Sequence, residues 1–190
     1  MRKIGIALIY VMTMLLQANS AKANPFAELY RYNVEVRWMP SSSMEPTIHG
    51  SPDKNEADKM IIDKTVYRSQ KAQRFDIIVF EPTDALREEQ YTLPFVKRIV
   101  ALPGEKVELK NGKIYINNKP LKESFIKNQA TFIDVCVSSP TAPYLAKHVI
   151  IPQNSYLLMG DNRTQSYDGR CWGIVPSSKI IGKVYQILKG

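Results

Sequence analysis

Three consecutive serines, followed by a methionine and a proline, form the stretch of this chain best suited to nucleophilic chemistry. Residues 41–47 read SSSMEPT. Serine and proline are common in turns, because serine hydroxyls bond the neighbouring backbone and proline fixes its own φ angle. An ordinary polar turn is therefore one interpretation of this stretch. The other is that Ser43 acts as a nucleophile, which requires a general base close to its hydroxyl.

Histidine is the usual base for a serine nucleophile, and the chain has only two, His49 and His148. Neither lies in a motif that would place it beside a serine and an acid, as a Ser-His-Asp triad requires. The sequence also lacks the closely spaced histidines, cysteines and acids of a zinc site, and it has no Gly-rich phosphate loop. It therefore predicts neither a bound metal nor a cofactor.

Lys97 is the remaining candidate for a base. It lies in the strand-like segment FVKRIV, residues 95–100. Alternate residues of a strand share a face, so Lys97 is expected beside Phe95 and Ile99, with Arg98 on the opposite face. Burial disfavours the ammonium form, and a decrease of about 3 pKa units, or about 4 kcal/mol, would bring the amine near pKa 7. The alternative is an edge strand on which the two cations prevent aggregation.

A third polar segment, MGDNRTQSYDGR at residues 159–170, contains further candidates. Gly160, Asp161 and Asn162 have the composition of a turn. Asp168 and Arg170 are two residues apart and could form an ion pair with each other or across a loop. Considered alone, the segment is typical of a solvated polar turn.

The elements that must position these residues are short strands separated by turns, within a chain of 190 residues that is long enough for one domain. The Asn111-Gly112 dipeptide between two alternating runs predicts a hairpin, because both positions tolerate positive φ. Residues 84–90 are predicted to form a short helix or loop, and residues 118–147 are predicted to form a long loop or small cap. The pattern predicts a mainly β fold of antiparallel sheets, with strands at 33–39, 59–64, 75–80, 94–102, 106–110, 113–117, 156–159 and 183–188.

The N-terminus has the features of an export segment. Two cations precede an apolar run of thirteen residues, 4–16, and Ala21-Lys22-Ala23 resembles a cleavage site. The run is shorter than the roughly 20 residues of a full membrane span, which favours a cleaved signal peptide over an anchor. We expect residues 1–23 to be an N-terminal hydrophobic helix that serves as a signal segment or membrane anchor, and residues 24–190 to lie outside the cytoplasm.

The cysteines and the net charge bear on the compartment of the protein and on the class of partner that it could bind. Cys136 and Cys171 could pair outside the cytoplasm, or they could remain two partly buried thiols, and the sequence leaves both alternatives open. The net charge of +8 is compatible with a mildly basic surface or with attraction to anionic lipid. No dense basic block, zinc-finger pattern or helix-turn-helix pattern indicates a nucleic-acid partner.

Four segments in order give the chain a family resemblance: SSSMEPT, FDIIVF at 75–80, KRIVALPGE at 97–105 and GDNRTQSYDGRCWG at 160–173. Together, over about residues 38–186, they resemble the type I signal peptidases, and most closely the cyanobacterial and plastid branch. The resemblance implies the antiparallel β-sheets shared with LexA-like self-cleaving repressors, with residues 105–155 as a hairpin and cap region. It implies a serine endopeptidase that removes signal peptides from exported precursors at a membrane surface, without a metal or cofactor.

The resemblance also assigns a role to each matching position. Ser43 corresponds to the nucleophile and Lys97 to the general base, and the Ser41 hydroxyl would form the oxyanion hole with the Ser43 backbone N–H. Ser166 would help to orient the lysine, and Asp168 and Arg170 correspond to the supporting acid and base of the last segment. The substrate pockets, which prefer small residues at positions −1 and −3, would be lined by Met39, Met44, Ile48 and Val96. Gly169 departs from the pattern, because the family usually has serine there.

Three alternatives to a general signal peptidase follow from the same features. A related peptidase that matures one conjugation- or pilin-type substrate would share these motifs. A self-cleaving repressor would use a similar pair of catalytic serine and lysine, but the export segment argues against it. An inactive exported β-domain could bind lipid or a partner.

The expected location is the plasma membrane, with a single pass and the catalytic domain outside; a thylakoid membrane or a soluble periplasmic form are the alternatives.

Overall fold

The fold was obtained as a computed structural model that describes residues 33–126, 129–137 and 139–190. Residues 1–23, with their predicted hydrophobic helix, lie outside the described residues. Within the described ranges, no helix has both the length and the apolar character needed to cross a membrane.

Two antiparallel sheets dominate the described part of the chain, as the alternating patterns predict. Two short α-helices, α1 (Asp84–Glu88) and α2 (Gly169–Trp172), accompany them. The strands are β1 (Val34–Trp38), β2 (Lys59–Asp63), β3 (Ile77–Phe80), β4 (Phe95–Ala101), β5 (Lys106–Lys110), β6 (Lys113–Ile116), β7 (Lys119–Pro120), β8 (Val149–Ile150), β9 (Ser155–Met159), β10 (Ile174–Pro176) and β11 (Ile180–Leu188).

The larger sheet has seven strands in the order β1-β2-β11-β3-β4-β9-β10. Strand β4 lies inside it, paired with β3 on one side and β9 on the other. The edge-strand interpretation of Lys97 and Arg98 is therefore wrong. Both cations are buried, because each face of β4 is covered by packed side chains.

The smaller sheet, β7-β6-β5-β8, lies within residues 105–155. Its β5–β6 hairpin turns at Asn111 and Gly112, which have φ angles of 50° and 71°. These are the positive angles that the Asn-Gly dipeptide predicts. The strands that the sequence did not predict, β7, β8 and β10, are only two or three residues long and show no periodicity.

Three apolar clusters hold the sheets in place. Alternate residues of β3 face opposite sides of the large sheet, with Ile78 and Phe80 in one cluster and Ile77 and Val79 in a second. The third cluster joins the two sheets and includes Val100 of β4 and Val107 of β5. Because β4 contributes to all three clusters, its position in the fold is tightly constrained.

Cys136 and Cys171 form a disulfide, with their Cα atoms 5.2 Å apart. This settles the alternative that the sequence left open. The bond ties the 3-10 turn Asp134–Cys136 to helix α2, and both cysteines are buried in the same apolar cluster as Phe80. The disulfide therefore fastens an irregular segment of the chain to the large sheet.

Removal of this disulfide should lower the free energy of unfolding. The bond closes a loop with a sequence separation of 35 residues, for which chain entropy gives a stabilisation of about 3 to 4 kcal/mol. We expect the double variant Cys136→Ala/Cys171→Ala to lose about this amount in urea denaturation. Reductant should destabilise the wild type alone. Equal stability of the wild type and the double variant in the absence of reductant would contradict the prediction.

Candidate active site

The side chains of Ser43 and Lys97 meet although they are 54 residues apart in the chain. Ser43 lies in the single 3-10 turn Ser42–Met44, and Lys97 lies on β4. The distance from Lys97 Nζ to Ser43 Oγ is 2.7 Å. Ser43 is 7% exposed and Lys97 only 3%, so the contact is largely shielded from water.

The strand alternation of β4 explains why the amine is buried. Lys97 pairs with Ile78 of β3 and lies two residues from Ile99, both fully buried, and its Nζ is 5.9 Å from the centre of the Phe95 ring. The pKa of Lys97 is lowered to about 8, mainly because burial disfavours the ammonium form; the charge of Asp168 opposes this change and that of Arg170 adds to it. A sizeable fraction of the amine is therefore neutral near physiological pH.

The segment from Gly160 to Asp168 holds the serine turn from the other side. The Asn162 backbone N–H donates to Ser43 O at 3.2 Å, and Asn162 Nδ2 donates to Ser42 O, also at 3.2 Å. A Cβ at position 160 would lie 2.4 Å from Ser43 O and 2.2 Å from Ser166 Oγ. Only glycine permits this close approach, so Gly160 and Asn162 together fix the backbone of the nucleophile.

Two buried ion pairs fasten this segment. Arg98, on the face of β4 opposite Lys97, donates to both oxygens of Asp161 at 2.8 and 2.6 Å. Arg170 donates to both oxygens of Asp168 at 2.8 and 2.9 Å. Burial alone would raise the pKa of the Asp168 carboxyl, but Arg170 outweighs it and holds that pKa below its ordinary value. Asp168 therefore remains charged.

Arg170 and Arg163 extend the network into the backbone. Arg170 donates to the carbonyl oxygens of Phe132, Arg163 and Ser166. Arg163 is 1% exposed, pairs with Glu123 and donates to Gly160 O at 3.0 Å. No sequence pattern predicts the burial of Arg163, because a lone arginine in a polar segment is typical of a solvated turn.

Gly169 is a second glycine whose backbone lies close to another element, here strand β9. A Cβ at this position would lie 2.7 Å from Leu158 O and 2.9 Å from Leu157 Cδ1, both on β9. A serine could be accommodated only if the backbone of β9 or of α2 moved. The departure from the family pattern at this position therefore matches the tight packing of α2 on the large sheet.

Ser41 and Ser166 differ in how they relate to the dyad, which is the pair of Ser43 and Lys97. Ser41 Oγ donates to Ser43 Oγ at 3.2 Å from the exposed rim of the turn. Ser166 Oγ is fully buried and has no hydrogen-bond partner among the described residues. The structure contains no hydrogen bond between Ser166 and Lys97 in the described part of the chain, and the lysine-orienting role of Ser166 stays a prediction.

An open cleft of about 320 Å³ exposes the dyad to ligands. Of the four residues predicted to line it, Met39 and Val96 do so, whereas Met44 and Ile48 do not. Those two side chains are fully buried against Met60 in the core beneath the turn. The sequence did not identify the remaining apolar walls. They come from the residue before the serine turn and from the segment that leads into β4, and they are Pro40, Tyr91, Leu93, Pro94 and Phe95.

The arrangement is suited to acyl transfer. A serine hydroxyl lies in hydrogen-bond contact with a buried amine of lowered pKa, and the serine is accessible from a cleft. Such an amine can take the proton of the serine as the oxygen attacks a carbonyl carbon. Within the described residues, no group of three histidine, cysteine or acidic side chains is placed to hold a metal ion.

The burial of Lys97 should destabilise the fold at neutral pH. Lowering its pKa from 10.5 to about 8 corresponds to about 3 kcal/mol of unfavourable free energy whenever the folded protein carries the ammonium. Lys97→Met should therefore be more stable than the wild type at pH 7. Between pH 8 and 10.5 the unfolded state binds more protons than the folded state, so wild-type stability rises with pH, and the stability difference between the two proteins should be clearly smaller at pH 9.5 than at pH 7.

Urea denaturation of both proteins at pH 7 and pH 9.5 measures this difference. Lys110→Met, at an exposed position of β5, is the matched control and should change stability little at either pH. A wild type that is more stable than Lys97→Met at pH 7 would contradict the prediction.

Comparisons with known proteins give a consistent assignment. The family model described as "Signal peptidase, peptidase S26" matches residues 11–188. The chain is 40% identical over 151 residues to a probable signal peptidase I-2 of Synechocystis, which covers 80% of this chain and 61% of that protein. It is 38% identical over 151 residues to a signal peptidase I of Leptolyngbya laminosa, covering 78% of this chain and 66% of that protein.

The chain thus spans about three fifths to two thirds of the length of these two relatives. Among solved structures, it is similar to a signal peptidase I from Enterococcus faecalis. The sequence identity is 29%, the TM-score is 0.45, and the match covers 60% of this chain and 97% of that one.

Proposed function

The chain belongs to the signal peptidase, peptidase S26 family, and on that premise we propose that it is a signal peptidase I. Its reaction would be the endoproteolytic removal of signal peptides from exported precursor proteins. The observation that carries the proposal is the buried 2.7 Å contact between Lys97 Nζ and Ser43 Oγ. A serine beside a base of suitable pKa is the arrangement required for covalent catalysis of acyl transfer.

In the first half of the proposed reaction, neutral Lys97 accepts the proton of Ser43 as Oγ attacks the scissile carbonyl carbon. The carbonyl oxygen becomes an oxyanion. When the oxyanion collapses, the C–N bond breaks, and the protonated Lys97 delivers the proton to the leaving amine. The products of this half are an ester on Ser43 and the free amino terminus of the mature protein.

In the second half, Lys97 accepts a proton from water as the water oxygen attacks the ester. The bond between the acyl carbon and Ser43 Oγ then breaks as Lys97 returns the proton to Oγ, and the signal peptide leaves with a free carboxyl terminus. The oxyanion of both halves would be bound by the Ser43 N–H and the Ser41 hydroxyl. The position of Ser41 Oγ, 3.2 Å from Ser43 Oγ, supports this role.

The cleft suggests how the substrate is held. Its apolar walls, which include Met39 and Val96, favour small apolar side chains at positions −1 and −3 of the precursor. Trp38, 47% exposed, precedes the wall residue Met39 in the sequence, and Leu93, 77% exposed, is itself a wall residue of this cleft. Exposed apolar groups near an active site favour contact with a lipid surface, which would deliver the apolar segment of the signal peptide to the dyad.

The disulfide supports a location outside the cytoplasm, because such bonds persist in oxidising compartments. We therefore place residues 24–190 on the extracytoplasmic side of the plasma membrane or in the thylakoid lumen. Residues 1–23 would then be a signal segment or a single-pass anchor.

Cleavage of a secretory precursor in detergent across pH 6 to 10 tests the proposed function. The wild type should cut after an Ala-x-Ala site, and kcat/KM should rise about tenfold per pH unit below pH 8 and level off above it, because one amine must lose its proton. Ser43→Ala and Lys97→Met should each lower kcat/KM by about 10³-fold or more.

Two outcomes of the same experiment would overturn the proposal. Undiminished cleavage by Lys97→Met would show that another group is the base, with Lys110→Met as the control for loss of a lysine. A wild type that cuts one specialised precursor but no general secretory precursor would favour a dedicated maturation peptidase.

A further inference from the structure

A second pocket adjoins the dyad cleft and is more polar than the cleft. It has a volume of about 340 Å³, and we refer to it as the Glu89 pocket. Tyr91, Gln165 and Tyr167 line both the cleft and this pocket, so the two are contiguous. The other residues that line the Glu89 pocket are Glu89, Val135, Thr164 and Ser166.

The Glu89 pocket lies within a few residues' reach of the nucleophile. Gln165 Oε1 accepts a hydrogen bond from Ser42 Oγ at 3.2 Å, and Ser42 precedes Ser43 in the chain. An extended peptide advances about 3.3 Å per residue. A substrate bound at the dyad therefore carries side chains near this pocket within about five residues of the scissile bond.

The charge of the Glu89 pocket is unusual for this protein. Among the described residues, Glu89 is the only acidic side chain that lines it, and no lysine, arginine or histidine of that part of the chain does so. Among the ion pairs of the described residues, none includes Glu89. The chain as a whole carries a net charge of +8, so this carboxylate forms a local negative site beside the dyad.

The carboxylate of Glu89 is held in place by Tyr167. The Tyr167 hydroxyl lies 2.8 and 2.7 Å from the two Glu89 oxygens. Burial raises the pKa of Tyr167 to about 12, and the Glu89 carboxylate contributes in the same direction, so the hydroxyl keeps its proton and donates it. A carboxylate has about four acceptor sites, so most of its capacity remains for a ligand.

We propose that the Glu89 pocket is a substrate subsite that binds a lysine or arginine side chain of the precursor, at a position other than −1 or −3. The inference rests on the proposed peptidase function and adds a charge preference to it. A cationic group would meet the Glu89 carboxylate and the polar oxygens of Thr164 and Gln165, while its aliphatic stem would pack on Tyr91 and Val135.

The test is a charge scan of an Ala-x-Ala precursor peptide with the full chain in detergent. Each position from −5 to +5 except −1 and −3 is replaced in turn by Lys, Gln or Glu, and kcat/KM is measured. At one position, or at two adjacent ones, we expect kcat/KM of the Lys peptide to exceed that of the Glu peptide by about fivefold at low salt. The reason is that attraction to the carboxylate replaces repulsion at a partly exposed site. The ratio should shrink as ionic strength rises.

Two variants assign the preference to the pocket. Glu89→Gln keeps an oxygen that can accept from Tyr167, and it should reduce the Lys/Glu ratio to within twofold. Glu88→Gln removes the same charge from an exposed neighbour that does not line the pocket, and it should leave the ratio unchanged. A uniform ratio at all positions, or an equal effect of both variants, would overturn the proposal.

A binding measurement separates this proposal from the proposed function. The same peptides are titrated against Ser43→Ala, which cannot form the ester, and the ratio of the Lys and Glu dissociation constants is compared with that of Ser43→Ala/Glu89→Gln. A Glu89-dependent ratio without wild-type cleavage would refute the peptidase function and leave the cation site intact. Cleavage of the parent peptide with no such ratio would refute the subsite alone.

Discussion

The burial of one lysine amine against a serine hydroxyl is the constraint around which the site is built. Water stabilises an ammonium ion, and at its ordinary pKa of 10.5 only about 3 amines in 10⁴ are neutral at pH 7. With a pKa of about 8 the neutral fraction at that pH is about a tenth. The central position of β4, covered on both faces, supplies the burial that this change requires. An edge strand would leave the amine hydrated.

The charges near Lys97 are arranged so that burial dominates. Asp168 alone would favour the ammonium, but Arg170 neutralises it in a bidentate ion pair and acts on Lys97 in the opposite sense. Buried ion pairs contribute little net stability, although loss of one partner is strongly destabilising. Here the two pairs, Asp168–Arg170 and Arg98–Asp161, have a positional role, because they fix the segment whose Asn162 binds the backbone of the serine turn.

Much of the fold follows from local pattern in the sequence. Strands with clear alternation and the Asn111-Gly112 turn are predicted within a few residues of their observed bounds. The errors have identifiable physical causes. Strand β3 begins at Ile77 rather than at residue 75, because Phe75 has a φ of 72° in a turn. Strand β11 begins at Ile180, before the predicted 183, where Gly182 lies against the backbone of Asp63.

The site was less predictable than the fold, because it depends on contacts between distant parts of the chain. The alternation of β4 placed Lys97 among apolar residues, but only the sheet order shows that both faces are covered. No local pattern distinguishes Met44 and Ile48, which are buried beneath the turn, from Met39, which lines the cleft. The partner of Cys136 and the ion pairs of Arg98 and Arg163 likewise depend on the tertiary structure.

The most direct measurement is the pKa of the Lys97 amine in the folded protein. It can be obtained from the ¹³Cε and ¹Hε shifts of isotopically labelled lysines, with the Lys97 signal assigned by its disappearance in Lys97→Met. A titration midpoint near pH 8 is expected for this one lysine, well below those of the exposed lysines. A midpoint above pH 10 would show that the amine is charged at neutral pH, and it would contradict Lys97 as the base.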